Sequence, residues 1–325
     1  YYTKEDITDY ISKNCIIPFL FDETKRNYEK AFNPDGEIWQ MVKNSEDCYI
    51  YDAVKYGISD KEDIFNDLPD DILKGFNPEL EQKNVDGKSE YLFEIRKPWN
   101  KQAPSNIALP TEIYREVIER RKRYKEIRNK IINGEIKEIS DFITYNLNIR
   151  QFAQDVIKNT NDPEFLTAFY NALSNITILD PTCGSGAFLF AALNILEPLY
   201  ETCILRMENY VLENEKGKYS LFEEILKSVN SIEHPSKEYF IYKSIILKNL
   251  YGVDIMREAV EIAKLRLFLK LVSTVNADYR KENLGLEPLP DIDFNIKSGN
   301  TLVGFAKLDD INKAVEDSLN KDFYK

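Results

Sequence analysis

Histidine occurs once in the 325 residues, at His234, and cysteine only at Cys15, Cys48, Cys183 and Cys203, with no Cys-x-x-Cys pair. That scarcity argues against a zinc site and against a disulfide framework, so no metal ligand is assigned and a reducing, cytoplasmic compartment is expected. No run approaches the roughly 20 apolar residues that span a bilayer, and no secretory signal is present, so no membrane partner is expected. Positive charge is also short: 43 Lys and Arg stand against 55 Asp and Glu, a formal net charge of −12. Phosphate binding rests on Lys and Arg, so a nucleic-acid-binding surface covering most of the chain is disfavoured. Internal repeats and low-complexity tracts are absent. What remains is an ordinary globular composition, 43% hydrophobic, in a chain long enough for one large domain or two.

Residues 3–14 carry a helical pattern, with Thr3 as a possible N-cap, Glu5 and Asp6 in the first turn, and Ile7, Tyr10 and Ile11 on one face. From 22 to 100 the sequence is polar, acidic and rich in turns, with short helical stretches near 37–43 and 60–74. Pro98, Pro104 and Pro110 punctuate what reads as an irregular linker, after which Thr111 caps a helix over 112–132 that Gly134 closes. That helix carries Arg115, Arg120, Arg121, Lys122, Arg123, Lys125, Arg128 and Lys130. A phosphate-contacting helix is one reading; the interleaved Glu116, Glu119 and Glu126 favour a solvated, self-paired face. Trp39 and Trp99 read as core or interface residues, and His234, before Pro235, as a loop residue.

Residues 139–173 are helical in pattern, followed by a strand at 176–180, a glycine turn and a helix to about 210. A mixed polar insertion over 213–247 precedes a second strand at 249–254, a helix at 256–273 and a third strand at 292–297. Strands alternating with helices imply a parallel, doubly wound α/β sheet. The expected division is a mainly helical N-terminal region, 1–138, and a sheet-bearing region, 139–325.

The densest signal is residues 178–190, Ile-Leu-Asp-Pro-Thr-Cys-Gly-Ser-Gly-Ala-Phe-Leu-Phe. An apolar strand ending in Asp180 runs into a small-residue turn and then a helix, the arrangement by which α/β folds bring bare backbone N–H groups against a nucleotide-like ligand. A dinucleotide dehydrogenase competes for this pattern, but its fingerprint needs a third glycine three positions on and an acid about 20 residues later. Leu189 occupies the first of those positions, and the acid ending the second strand, Asp254, lies 68 positions after Gly186. Cys183 reads as a small packed residue, since nothing nearby in sequence lowers its pKa.

The string Asp180-Pro181-Thr182-Cys183-Gly184-Ser185-Gly186-Ala187-Phe188-Leu189 resembles motif I of gamma-order DNA adenine methyltransferases, close to the Eco57I type of fused restriction–modification enzyme. Three stretches agree in the order of that family: Tyr1 to Ile7 with motif X, Leu250 to Ile255 with motif II, and Asp293 to Leu302 with motif III. The resemblance implies a partial Rossmann-like S-adenosylmethionine-dependent methyltransferase sheet behind a mainly helical N-terminal region. It implies a cofactor site of Tyr2, Thr3, Glu5, Asp180, Thr182, Cys183, Gly184, Gly186, Asp254, Ile255 and Asn300. In that site Asp180 lies near the cofactor ammonium or a bridging water, the N–H groups around Cys183, Gly184 and Gly186 approach the methionine moiety, and Asp254 accepts both ribose hydroxyls. Ile255 faces the adenine, Asn300 meets its edge, and Tyr2, Thr3 and Glu5 close the methionine end.

The implied function is methyl transfer to the exocyclic amine of adenine in double-stranded DNA within a restriction–modification system, with a fused nuclease or specificity domain or subunit as possible partner. The family's catalytic motif IV, Asn/Asp-Pro-Pro-Tyr/Phe, does not occur between Tyr1 and Lys325, so no catalytic residue is assigned. The chain, which has no initiator Met, reads as an internal piece of a larger enzyme. A catalytically silent methylase-like module and a cytosine-N4 methyltransferase are the alternatives.

Overall fold

The structure, a computed structural model, describes residues 3–76, 89–215, 217–231, 234–275, 280, 295–303, 307 and 309–313. The chain forms two compact units, Tyr1–Tyr28 with Ala153–Lys325, and Glu29–Phe152. This division differs from the one expected at 138/139, because the first helix packs on the helices Pro163–Asn175 and Ala187–Leu212 and residues 139–152 fall in the Glu29–Phe152 unit. Helix α1 (Glu5–Asn27) buries Ile16, Ile17, Leu20 and Phe21, and the Phe21 ring meets Phe169 edge-on at 5.3 Å.

Helix α1 is also longer than the 3–14 expectation and continues through Pro18, and its N-cap is Lys4 rather than Thr3. Ile7, Tyr10 and Ile11, which share a face, are exposed, while Thr8 and Ser12 are buried. The hydroxyls of Thr8 and Thr24 donate to the carbonyls of Glu5 and Leu20 at 3.0 and 2.7 Å, which satisfies polar groups on a buried face.

In the Glu29–Phe152 unit, the longest helix is α2 (Tyr114–Ile132). It begins after Ile113, not Thr111, which lies at φ +70. The Glu116 carboxylate accepts the Ile113 N–H at 3.0 Å, reaching back over the first turn. Val117, Ile118, Tyr124, Ile127 and Ile131 form its buried stripe. The stretch expected as linker is irregular but belongs to the core: Trp99, Ala103, Ile107 and Ala108 are buried with Val117 and Ile118. A second cluster stacks Trp39 on Phe152 at 6.3 Å, beside Tyr49 and Phe142. Both tryptophans are therefore core residues.

The charged face of α2 needs a correction. Arg121 is fully buried, bidentate to Asp67 and donating to the carbonyls of Ile64 and Gly57, each at 2.6 Å. Arg120 pairs with Glu112 and donates to the carbonyls of Val54, Tyr56 and Ile107. Two arginines of the run thus collect carbonyls from chain 13 to 66 residues away, a task that five fixed N–H donors suit. Arg115, Lys122, Arg123 and Lys125 remain exposed.

The other unit continues from α1 to α3 (Pro163–Asn175), capped by Asp162, whose carboxylate accepts the N–H groups of Glu164 and Phe165. Strand β1 (Ile178–Asp180), helix α4 (Ala187–Leu212), strand β2 (Leu250–Asp254), helix α5 (Arg257–Val272) and strand β3 (Ile296–Ser298) follow. The three strands form a parallel sheet in the order β1-β2-β3, with Asp180 opposite Gly252 and Asp254 opposite Ser298. Helix α4 packs on β1 and β2, and α5 on β2 and β3. Helices Ser220–Val229 and Lys237–Ser244 and a π-turn at Ile245–Asn249 occupy the mixed polar insertion. Asn295 donates to the carbonyls of Ile246, Leu247 and Leu250, fixing the entry to β3.

Helix α4 corrects one reading of composition. It is long and apolar enough to cross a membrane by length and composition, although no contiguous apolar run announces it. More than half of that stretch is buried in the fold, including Leu189, Leu193, Leu196, Leu199, Cys203 and Met207, so its apolarity is that of a core helix.

Candidate cofactor-binding site

Parallel pairing carries Asp180 and Asp254 to the carboxyl ends of neighbouring strands, where α/β sheets bind ligands. The turn between β1 and α4 is fixed over this edge by main-chain bonds. Cys183 N–H donates to the Val253 carbonyl at 2.9 Å, and Gly186 N–H to the Cys183 carbonyl at 2.7 Å. Gly184 and Gly186 lie at φ +50 and +86, a region in which a side chain is strained. At Gly186 a Cβ would also meet the Cβ of Ala263 at 3.3 Å, so α5 packs directly against the turn.

Asp254 joins the two halves of this edge. Its Oδ2 accepts the Gly184 N–H at 2.9 Å and its Oδ1 the Met256 N–H at 2.8 Å, while its carbonyl accepts the Gly299 N–H at 2.8 Å. The carboxylate therefore ties the glycine turn to β2 and also caps the following residues. Asp180 Oδ1 accepts the Thr182 N–H at 3.0 Å. Burial pushes the Asp180 carboxyl above the usual range, and the nearby Asp254 charge adds to that rise. Burial also raises the Cys183 thiol to about 11, with Asp180 and Asp254 contributing, so Cys183 is a packed thiol and not a poised nucleophile.

The structure gathers Asp180, Thr182, Cys183, Gly184, Gly186 and Asp254 into one turn, with Ile255 beside Asp254 and largely exposed. Asn300 accepts the Leu302 N–H at 3.0 Å, and the next residue, Thr301, donates to the Pro181 carbonyl at 3.1 Å, which holds the Asn300 segment against the turn. Thr3 and Glu5 line a cavity of about 400 Å³ together with Ser185, Ala187, Phe190 and Arg266. Tyr2 lies outside the described residues.

One detail of the expected geometry changes. The N–H groups of Cys183, Gly184 and Gly186 all have partners inside the protein. Those of Ser185 and Ala187, which line the cavity, have none among the described residues.

Two residues of this arrangement escape sequence reasoning. A Cβ at Gly252 would lie 3.0 Å from the Cys183 sulfur and 3.1 Å from Leu189, so β2 must carry glycine for the turn to settle on it. A glycine inside an apolar strand run was the available signal. Arg266 donates to the Ser185 carbonyl at 2.8 Å and lies over the Phe190 ring at 4.3 Å. Within the 3–4 spacing of α5 nothing marks it.

Residues 153–309 match the family model described as "MmeI, DNA-methyltransferase domain", just under half of the chain. A Methanocaldococcus jannaschii protein carrying the provisional name "type II restriction enzyme and methyltransferase" is 37% identical over 186 residues, which are 56% of this chain and 12% of that protein. The chain thus spans a small part of that relative's length. No solved structure matches the chain. The glycine turn, both strand-end aspartates and Asn300 all fall within the stretch that is similar to a DNA methyltransferase domain.

Proposed function

We propose that the unit carrying the glycine turn is the S-adenosylmethionine-binding part of a Rossmann-like methyltransferase. In this reading the whole protein methylates the exocyclic amine of adenine in double-stranded DNA, within a restriction–modification system and beside a fused nuclease or specificity domain. The observation that carries it is the juxtaposition of Asp180 and Asp254 at adjacent parallel strand ends, with the Gly184 N–H held on Asp254 and the turn facing a cavity. The similarity of residues 153–309 to a methyltransferase domain supports it.

The residues present fit such a cofactor. The turn bears no side chain at Gly184, where a Cβ would have no neighbour within 4 Å, so the space beside it is open for a ligand. Asp180 receives the ammonium of the methionine end, and a cation there offsets the burial that raises its carboxyl. Ser185 and Ala187 offer N–H donors, with Thr3 and Glu5 across the cavity and Tyr2 assigned with them by resemblance. Asp254 keeps its two amide bonds and accepts ribose hydroxyls through its remaining lone pairs. Ile255 presents an apolar face to the adenine and Asn300 meets its edge; Thr182 and Cys183 shape the turn.

When bound, the cofactor supplies an electrophilic methyl on a sulfonium. A flipped-out adenine would supply the accepting amine, which would lose one proton to solvent as the N–C bond forms and the S–C bond to the methyl breaks, leaving the neutral thioether. No residue of this chain is assigned to hold that base, and methyl transfer is proposed of the whole protein.

Calorimetry with S-adenosylhomocysteine and with NAD tests the cofactor. Binding of the first and not the second is expected; NAD binding without a response to S-adenosylhomocysteine would overturn the proposal. Tritiated methyl incorporation into duplex DNA, followed by nucleoside analysis, separates N6-methyladenine from N4-methylcytosine as the product of the whole protein.

A further inference from the structure

We infer that Arg266, outside every motif that marks the site, reads the carboxylate of the cofactor's amino-acid end. This inference rests on the cofactor reading above and assigns a further specificity residue to the same site. Arg266 stands on α5, 81 positions from Ser185 in sequence, and its Nη1 donates to the Ser185 carbonyl at 2.8 Å. Its guanidinium carbon lies 4.3 Å from the centre of the Phe190 ring, which orients the planar group. One of five N–H donors is thus engaged among the described residues. Arg266 also lines the cavity of about 400 Å³ that Thr3, Glu5, Thr8, Asp9, Ser185 and Ala187 share.

The charges around that cavity are divided. Acidic groups come from α1, at Glu5 and Asp9, with Lys13 lying 4.0 Å from Asp9, while the cation among the lining residues comes from α5. With the ligand's ammonium assigned to Asp180 at the strand end beside the turn, the cation on this wall is left to meet the carboxylate of the same amino-acid end. A planar guanidinium fixed at one nitrogen and one face offers its other edge in the fork that matches a carboxylate. The contact to Ser185 also holds the turn whose Ser185 and Ala187 line the same cavity, so one residue orients both the turn and the ligand's anionic end. A lysine would keep the charge but lose the fixed plane.

The test compares two ligands that differ by the carboxylate alone, S-adenosylhomocysteine and its decarboxylated analogue S-adenosyl-3-thiopropylamine. They are titrated into the chain as it stands and into Arg266→Gln, which keeps an aliphatic stem and a donor for the Ser185 carbonyl. The wild-type chain should prefer S-adenosylhomocysteine by about 10- to 100-fold, the scale of a hydrogen-bonded charge pair. Arg266→Gln should remove most of that preference and leave the analogue's affinity within about threefold. Arg266→Lys should restore part of it.

Equal weakening of both ligands would overturn the inference and leave Arg266 as a brace for the turn. An unchanged preference would overturn it as well. Failure of the wild-type chain to bind either ligand would instead overturn the cofactor reading on which the inference depends. Thermal melting of each variant separates loss of fold from loss of contact.

Discussion

The two compact units use buried charge in opposite ways. In Glu29–Phe152, Arg121 has no exposed surface, and Asp67 with the carbonyls of Ile64 and Gly57 meets its two terminal nitrogens, while its buried Nε has no partner among the described residues. The guanidinium is consumed by architecture, since it collects loop segments that have no ladder of their own. In the strand-bearing unit, Asp180 and Asp254 sit near one another with no cation bonded to either among the described residues, each held by backbone amides at the rim of an open turn. A charge paired within the protein stabilises a shape. Two like charges held close without a counter-ion cost stability, and such strain is where a ligand's charge is accepted.

The largest effect expected from this contrast is at Arg121. Arg121→Met leaves Asp67 and two carbonyls without their donor, and breaking a buried pair costs about 3–5 kcal/mol. Asp67 is partly exposed, with 29% of its side chain accessible, so the expected loss is about 3 kcal/mol by chemical denaturation. S-adenosylhomocysteine affinity should be unchanged under conditions where the variant is folded. A stable variant, or a folded one that has lost ligand binding, would break the comparison by making Arg121 part of the site.

Substitutions in the turn sharpen it from the other side. Gly186→Ala should cost about 2 kcal/mol, from a strained φ of +86 and the close Ala263 methyl. Gly184→Ala, with a φ of +50 and open space around its Cβ, should cost about 1 kcal/mol in stability and show its larger effect on ligand affinity. Equal losses in melting temperature would mean that α5 does not brace the turn. Asp254→Ala should weaken S-adenosylhomocysteine by about 1.5–3 kcal/mol. It should also lower stability, because the same carboxylate holds the Gly184 and Met256 amides. A lower melting temperature with unchanged affinity would leave Asp254 as a cap alone.

The legible parts of this chain are the local ones. The strand, turn and helix over residues 178–190 follow from apolar runs, glycine and small residues within a dozen positions, and the parallel sheet follows from repeating that unit. Long-range pairing left no such trace. Arg121 and Asp67 are 54 positions apart, and Arg266 and Ser185 are 81 apart, with nothing local to join them. The same limit explains α1, whose exposed Ile7, Tyr10 and Ile11 form as good a stripe in sequence as the buried Ile16, Ile17 and Leu20. Only the arrival of Phe169 and its neighbours decides which stripe is covered.

The smallest effect separates the units by pH. Asp67 is held below the usual carboxylate range, chiefly by its hydrogen bonds with Arg121. Its stabilisation is therefore present above the unfolded value of about 4 and is lost as pH falls through the folded value. Asp180 runs the other way, raised by burial and then by Asp254. Its folded state favours the proton, so its relative stabilisation is full below about pH 4 and is lost as pH rises through the folded value. At pH 7 the ionised Asp180 is thus a penalty that Asp180→Asn removes, while the amide oxygen keeps the Thr182 N–H. The variant should melt about 1–3 °C higher than wild type at pH 7, a shift of less than 1 kcal/mol for a region of this size, and the difference should vanish near pH 4. S-adenosylhomocysteine should bind it more weakly, since the carboxylate that burdens the free fold is the group assigned to the ligand's ammonium. Asp67→Asn should show the opposite pH trend, losing stability at pH 7 and progressively less as pH falls below about 4. A lower melting point for Asp180→Asn at pH 7 would place Asp180 with Arg121, as a charge kept for the fold.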